Sequence, residues 1–484
     1  MLKVLSTFSK VAGFGAEPQG FNLLTYMGDF MKVDVLVAEI GSTTTTVSAF
    51  DGLGGGKPRL VGQGYDLTTA QKGDVLPGLQ GAVRNLEDKM GERVEYRQIL
   101  AASSAAGGLR MTVHGLVPDM TARAAKEAAL GAGAVIRQIS CGVMSDAELD
   151  ELRGIDPNII LLAGGVDHGE RATAVANARR IQALGLAAPV VYAGNAACRE
   201  EIRGIFADRP NKLYIVDNVY PRIDELAVEG ARRAIQAVFE EHIVTAPGMG
   251  RVREMVQGPV MPTPGAVMEA SALLQSEIGD LLTLDIGGAT TDIHSVTDGD
   301  PEKARLSIAP EPFAKRTVEG DLGVFLNAAN VADIAGWENL DAQLGFSARE
   351  ALAAYNGVPT NPGEIALITR LSEVAAQTSI TRHVGRIKHL YGATGRITVA
   401  EGKDLSRVRH IIGTGGVLTR LHNGRHILEK SIAIPNITGE LMLPPTNDVS
   451  YHIDKDYIMA ALGVLSRIDR DAAIVMLKEI TSSS

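Results

Sequence analysis

Two stretches of this chain carry the residue types that polyphosphate chemistry requires. VAEIGSTTTTVSAFD (37–51) and LTLDIGGATTDIHSV (282–296) each run from an apolar β-pattern to an acid, a glycine turn, small or hydroxylated residues, and a second β-pattern. Glu39-Ile40-Gly41 in the first aligns with Asp285-Ile286-Gly287 in the second. Each reads as a hairpin whose tip offers amides and neutral hydroxyls: Gly41, Ser42, Thr43 and Thr44 in one copy, Gly287, Gly288 and Thr290 in the other. Successive amides that point together hold an anion, and glycine lets the backbone turn tightly enough for phosphate oxygens to approach. One Ser/Thr-rich tip is commonplace. Two matching tips half a chain apart can close on one nucleotide from opposite sides.

The acids have their own logic. Glu39 and Asp285 end the first strand of each hairpin. A carboxylate there can hold Mg2+ through its water shell, because Mg2+ dehydrates reluctantly and takes one or two acids plus phosphates. Asp292 is expected either to buttress the second loop or to orient an attacking water. HIIGTGG (410–416) adds a strand followed by a glycine turn and a helix start. Gly413, Gly415 and Gly416 would let backbone lie flat against a nucleoside, with the helix N-terminus on the phosphate side.

Competing motifs fail on inspection. Gly52–Lys57 is too short for a G-x-x-x-x-G-K-[ST] loop, and Pro58 stands where a hydroxyl is required. No G-x-S-x-G nucleophile turn occurs. His422 and His426 are separated by Asn423-Gly424, a turn rather than a metal-binding helix. Asp292-Ile293-His294 begins a D-x-H-x-x-G cobalamin loop, but Thr297 takes the glycine place, so no direct cobalamin ligation is assigned.

Alternating elements must position these residues. VDVLVAEI (33–40) with VSAFD (47–51) reads as a hairpin, 97–106 as a strand, and the Ala-rich 121–139 as a helix. Strand-like NIILLAGG (158–165), PVVYAGN (189–195) and KLYIVDN (212–218) alternate with helical patterns over 170–184 and 196–206, which is the pattern of a parallel sheet. A helix over 221–241 leads to a Pro/Gly-marked joint near 245–250. The second half adds a helix from Gly265, a helical stretch over 362–391, and a last helix over 454–466. Gly265-Ala266-Val267 and Ala460-Ala461-Leu462-Gly463 are small enough for close helix crossing between lobes. Gly164-Gly165 and Gly415-Gly416 each close an apolar strand. They are either a second trace of duplication or the mark of an inserted α/β domain, and insertion is favoured.

The expected organisation is therefore an N-terminal extension (1–30), a first lobe (31–246) with a small α/β insertion at 155–220, and a second lobe (247–484). The extension holds Phe8, Phe14, Phe21 and Phe30 without clear periodicity, and it lacks a clear signal-peptide pattern. At 484 residues the chain can fill several cores, with 45% apolar but only 4% aromatic residues. A net charge of −10 argues against a nucleic-acid partner. Cys141 and Cys198 alone exclude a disulfide scaffold, and no run approaches the ~20 apolar residues of a membrane span. A cytoplasmic protein is expected.

In that order, the hairpins, GTGG and the final small-residue helix resemble the acetate kinase/Hsp70/actin ATPase superfamily. SSAAGGLRM (103–111), AAKEAALGAGAVI (124–136), LLAGGVDHGE (161–170), YAGN (192–195), DNVYPR (217–222) and DIGGATTDIHSV (285–296) resemble more narrowly the MutL/GlmL family. That family comprises accessory, reactivating components of coenzyme-B12-dependent glutamate (methylaspartate) mutase. The resemblance implies an α/β, two-lobed, actin-like (ribonuclease H-like) ATPase fold. It implies ATP and Mg2+ as cofactors and a B12-dependent mutase as partner. Phosphate contacts would fall at Gly41, Ser42, Thr43, Thr44, Gly287, Gly288 and Thr290, the metal-side acid at Asp285, and the nucleoside turn at Gly413, Gly415 and Gly416. One departure is Glu39, where the superfamily usually has Asp. Two rival readings share the fold. One is an iron–sulfur activator of 2-hydroxyacyl-CoA dehydratase type, with Cys141 and Cys198 as ligands. The other is a small-molecule kinase.

Overall fold

The computed structural model describes residues 30–41, 43–69, 73–104, 109–208, 212–242, 249–258, 260–392, 395–434, 441–446 and 448–482. Expectations for Ser42, for residues 1–29 and for most of the 245–250 joint lie outside the described residues.

The first sheet contains β1 (Phe30–Ile40), β2 (Thr44–Asp51), β3 (Arg59–Leu67), β4 (Arg93–Ser103) and β10 (Val260–Pro262), in the order β10-β4-β1-β2-β3. Side chains alternate across a strand, and β1 uses both faces. Leu36, Ala38 and Ile40 enter one core, while Val35 and Val37 enter another. That two-sided burial explains why 33–40 is almost uninterruptedly apolar. The edge strand β10 lies past residue 246 in the chain, yet it pairs with β4.

The second sheet repeats this plan. It contains β11 (Leu281–Ile286), β12 (Thr291–Val296), β13 (Ala314–Glu319), β16 (His410–Thr414) and β18 (Ser450–Ile453), in the order β13-β12-β11-β16-β18. In both sheets a hairpin is flanked by a third antiparallel strand on one side and two parallel strands on the other. Two lobes of one ribonuclease H-like topology make this an actin-like ATPase fold.

The lobes meet where helix Thr263–Ile278 crosses helix Met459–Leu465. A Cβ on Gly463 would lie 1.9 Å from the Ala266 carbonyl oxygen, so only glycine permits the approach. One core joins Val35, Val37 and Leu100 of the first sheet to Leu281, Val296 and Ile412 of the second through these helices.

A third sheet contains β5 (Leu109–Gly115), β6 (Ala134–Cys141), β7 (Ile159–Leu162), β8 (Val190–Tyr192) and β9 (Leu213–Ile215), all parallel, in the order β6-β5-β7-β8-β9. Two of its strands precede residue 155, so the sheet reaches back to Leu109. Gly164-Gly165 closes β7 here, whereas the counterpart of β16 in the first lobe is β4. The glycine pairs are therefore not repeats of each other. The helix expected over 121–139 stops at Gly131, Gly133 turns with φ 98°, and AVIRQISC becomes β6. Cys141 thus ends a strand.

A small sheet of β14 (Arg386–Gly392), β15 (Gly395–Glu401) and β17 (Leu441–Met442) lies in the second lobe. It takes the end of the stretch expected to be helical over 362–391. Helix Pro362–His383 begins where Asn361 accepts from the Glu364 amide and Pro362 opens the first turn, and it ends at His383. The helix expected at 454 begins at Met459, and a further helix spans Arg470–Ser482. Among the described residues, no helix is long and apolar enough to cross a membrane.

Candidate nucleotide site

Both hairpin tips have one geometry. The Gly41 amide donates to the Thr44 carbonyl at 2.9 Å, and the Gly287 amide to the Thr290 carbonyl at 2.9 Å. The first glycine amide of each tip is therefore spent on closing the turn.

The amides that follow it are aimed by what holds the carbonyls. Val324 N donates to Gly287 O at 3.2 Å, Phe325 N and Leu326 N to Gly288 O at 2.9 and 2.8 Å, and Asn327 Nδ2 to Ala289 O at 2.7 Å. In a trans peptide the N–H points opposite to the C=O it is bonded to. Tying these three carbonyls to the 323–327 strap therefore turns the amides of Gly288, Ala289 and Thr290 away from it. Gly323 makes the strap possible, since a Cβ there would sit 2.2 Å from the Ala289 carbonyl carbon. In the first lobe Thr68 N does the same for Thr43 O at 2.9 Å.

The tips border one cavity of about 340 Å³. Glu39, Gly41, Thr43 and Thr44 line it from the first lobe. Asp285, Gly287, Gly288, Thr290 and Asp292 line it from the second. Gly416 and Arg420 also reach it. Gly415 does not line it but lies against Asp285 with φ 87°. Gly413 sits within β16, and a Cβ there would meet Leu428, Ile453 and Leu418, so its bare face belongs to the core. Phe325 and Tyr355, edge to face at 5.6 Å, form an apolar flank with Val358 and Ile368.

The carboxylates are crowded. Burial pushes the Glu39 carboxyl up to about 7, against the opposing hydrogen bond from Tyr457, with Asp454 adding to the rise and Arg420 relieving it. Asp285 is raised well above the carboxylate range, first by burial and then by Asp292 and Glu39, with Arg316 opposing. Asp292 is differently placed. Its Oδ1 accepts from Arg316 Nε and Nη2 at 3.1 and 2.7 Å, and its Oδ2 from Thr290 Oγ1 at 3.1 Å. Both oxygens are engaged, which is the buttress geometry. Arg316 continues to Leu130 O and Ala134 O at 3.1 and 3.2 Å, tying the hairpin to the third-sheet region.

Sequence reasoning missed several partners. Asp454 is fully buried and accepts from Thr414 Oγ1 at 2.9 Å and from the Ile458 and Met459 amides at 3.0 and 2.8 Å. Its local signal is faint, since the acid follows the mixed strand SYHI, whereas Asp285 sits in the apolar strand LLTLDI. Arg316, Gly323, Asn327 and Tyr457 act through tertiary contacts and carry no local pattern.

Residues 35–481 match the model of the MutL protein family. Protein MutL of Clostridium tetanomorphum is 37% identical over 461 residues, covering 92% of this chain and 98% of its own. The chain belongs to the MutL protein family. Solved structures similar to this MutL-family chain include a glycerol dehydratase reactivase (12% identity, TM-score 0.33, 89% of this chain and 99% of that one). Another is diol dehydratase-reactivating factor in nucleotide-free form (11% identity, TM-score 0.34, 90% and 99%). The family match spans both hairpins, the strap and the Asp454 turn.

Proposed function

We propose that this MutL-family protein is an ATP-driven reactivating factor for an adenosylcobalamin-dependent mutase of the glutamate (methylaspartate) type, promoting release of damaged cobalamin. The observation that carries the reading is the pair of matching tips on one cavity with Glu39 and Asp285 between them, in a chain 37% identical to Protein MutL.

The residues fit Mg2+ and a nucleotide. Burial raises both carboxyls first, with Asp454 adding to the rise at Glu39 and Asp292 and Glu39 adding to it at Asp285, an excess of negative charge that a divalent cation relieves. Mg2+ held there would neutralise phosphate oxygens. Thr43, Thr44, Gly288 and Thr290 would hold the phosphate chain, Gly416 would face the nucleoside, and the Phe325–Tyr355 flank would exclude water. Asp292 and Arg316 keep the second tip rigid.

A ligand held by both tips favours the closed arrangement, and losing a phosphate frees one tip. Moving a two-state equilibrium from 1:99 to 99:1 takes about 5.5 kcal/mol of differential binding, which a doubly held triphosphate can supply. In this reading the third-sheet unit, expected at 155–220, is the surface offered to the mutase.

The cysteines weigh against the iron–sulfur alternative. Cys198 is fully buried, and β6, which ends at Cys141, is separated from β8 by two strands. Cys198 itself lies in the turn Ala196–Cys198 after β8, with its thiol against the Arg171 carbonyl, so the two cysteines leave different strands of the sheet.

The test is reactivation. Glutamate mutase holoenzyme inactivated with cyanocobalamin is incubated with this protein, Mg-ATP and adenosylcobalamin. Recovery that requires ATP and is lost in Asp285→Ala is expected. ATP hydrolysis without recovery would break the mutase assignment and leave the clamp standing.

A further inference from the structure

Glu39 and Asp285 hold equivalent places in the two hairpins, but only Glu39 carries the extra methylene. The structure shows what it reaches. Tyr457, in the turn after β18 of the second lobe, donates its hydroxyl to Glu39 Oε1 of the first lobe at 2.8 Å. The phenol lines the same cavity as both acids.

The turn is built to aim that phenol. Tyr457 has φ 53°, a left-handed conformation that a bulky side chain adopts only when its surroundings enforce it. Asp454 does so by capping the following helix through the Ile458 and Met459 amides while bonding Thr414. The Tyr457 amide closes the turn on Asp454 O at 2.9 Å. A second tether comes from the first lobe, where Gln63 Nε2 donates to Asp456 O at 3.0 Å. One four-residue turn of the second lobe is thus fastened to both β1 and β3 of the first.

We propose that Tyr457 is a positioning residue. It occupies one oxygen of Glu39 so that the other faces the cavity, and it makes the Glu39 metal contact depend on the two lobes being together. Opening the lobes would pull the phenol from the carboxylate and loosen the metal along with it. Asp285 needs no such partner, because its shorter side chain is confined by Gly415. This rests on the Mg-nucleotide reading above.

The test is a calorimetric titration with ADP, with Mg2+ varied and with EDTA, on wild type, Tyr457→Phe, Glu39→Asp and the double variant. Tyr457→Phe is expected to raise the Mg2+ requirement about tenfold, the range seen when a partner of a metal ligand is removed. It should leave metal-free ADP affinity unchanged. Glu39→Asp withdraws the carboxylate from the phenol, so Tyr457→Phe should add nothing in that background. An unchanged Mg2+ requirement in Tyr457→Phe overturns the proposal. So does an equal loss with and without metal, or an additive double variant. If wild type binds no ADP, the clamp reading fails first and this proposal with it. That result is distinct from a wild type that binds while Tyr457→Phe matches it.

Discussion

Gly415 lies against the carboxylate of Asp285: a Cβ added at Gly415 would fall 2.4 Å from Asp285 Oδ1 and 2.5 Å from the Ile286 carbonyl. The glycine turn after β16 therefore sets where the Asp285 carboxylate can point. Gly415→Ala is expected to displace the carboxylate and to add backbone strain at φ 87°, costing about 1–3 kcal/mol. Mg2+-dependent ADP affinity should fall more than metal-free affinity. Gly416→Ala, with no atom within 4 Å of the added Cβ, is the control and should spare the metal effect. Equal behaviour of the two variants would refute the confinement of Asp285.

Arg316 is 1% exposed and bonds Asp292 and two carbonyls of another part of the chain. Replacing one member of a buried pair strands the other charge, at about 3–5 kcal/mol. Arg316→Met should lower urea-unfolding stability by that order, and adding Asp292→Asn should recover part of it. No recovery in the double variant would mean that Arg316 stabilises through the Leu130 and Ala134 carbonyls alone.

The hairpins were legible because acid, glycine and hydroxyl residues repeat at one spacing in two places, and the turn chemistry of each is local. Helix ends were less so. The stretches 121–139 and 362–391 look continuous, but AVIRQISC and RIKHLYG leave their helices to pair with neighbouring strands, β5 for one and β15 for the other. Which strand receives a segment is a tertiary fact. The same holds for Tyr457, whose role is set by a carboxylate more than four hundred residues earlier in the chain, and for Gly323, which is needed only because the strap presses on Ala289.

Glu39 makes stability depend on pH. Its carboxyl ordinarily titrates near 4.5 and in the fold near 7, so the folded state holds a proton that the unfolded state has lost across that window. Stability then falls as pH rises from about 4.5 to about 7 and levels off above, by on the order of 3 kcal/mol at ~1.4 kcal/mol per unit. In Mg2+-free buffer, Glu39→Gln should lose this fall and become more stable than wild type above pH 7, read by urea unfolding at several pH values. Parallel profiles for the two proteins would show that Glu39 is ionised at no cost in the fold.

Gly463 offers a way to separate helix packing from lobe motion. The close approach of helix Met459–Leu465 to Ala266 would arise from tight packing alone, with or without movement, so the presence of glycine does not decide between them. A Cβ at Gly463 collides with backbone at 1.9 Å, not with a side chain that can turn aside, so Gly463→Ala must push the helices apart. Overpacking of this kind costs about 1–3 kcal/mol. If the crossing is only a packing contact, stability drops while ADP affinity and ATP turnover in the surviving folded protein stay at wild-type values. If it is the pivot on which the lobes close, nucleotide held by both tips suffers most. ATP affinity should then fall more than ADP affinity, because the longer phosphate chain depends on both hairpins at once. Measuring both affinities at a temperature where the variant remains folded distinguishes the two, and an equal change in ATP and ADP binding would rule out the pivot.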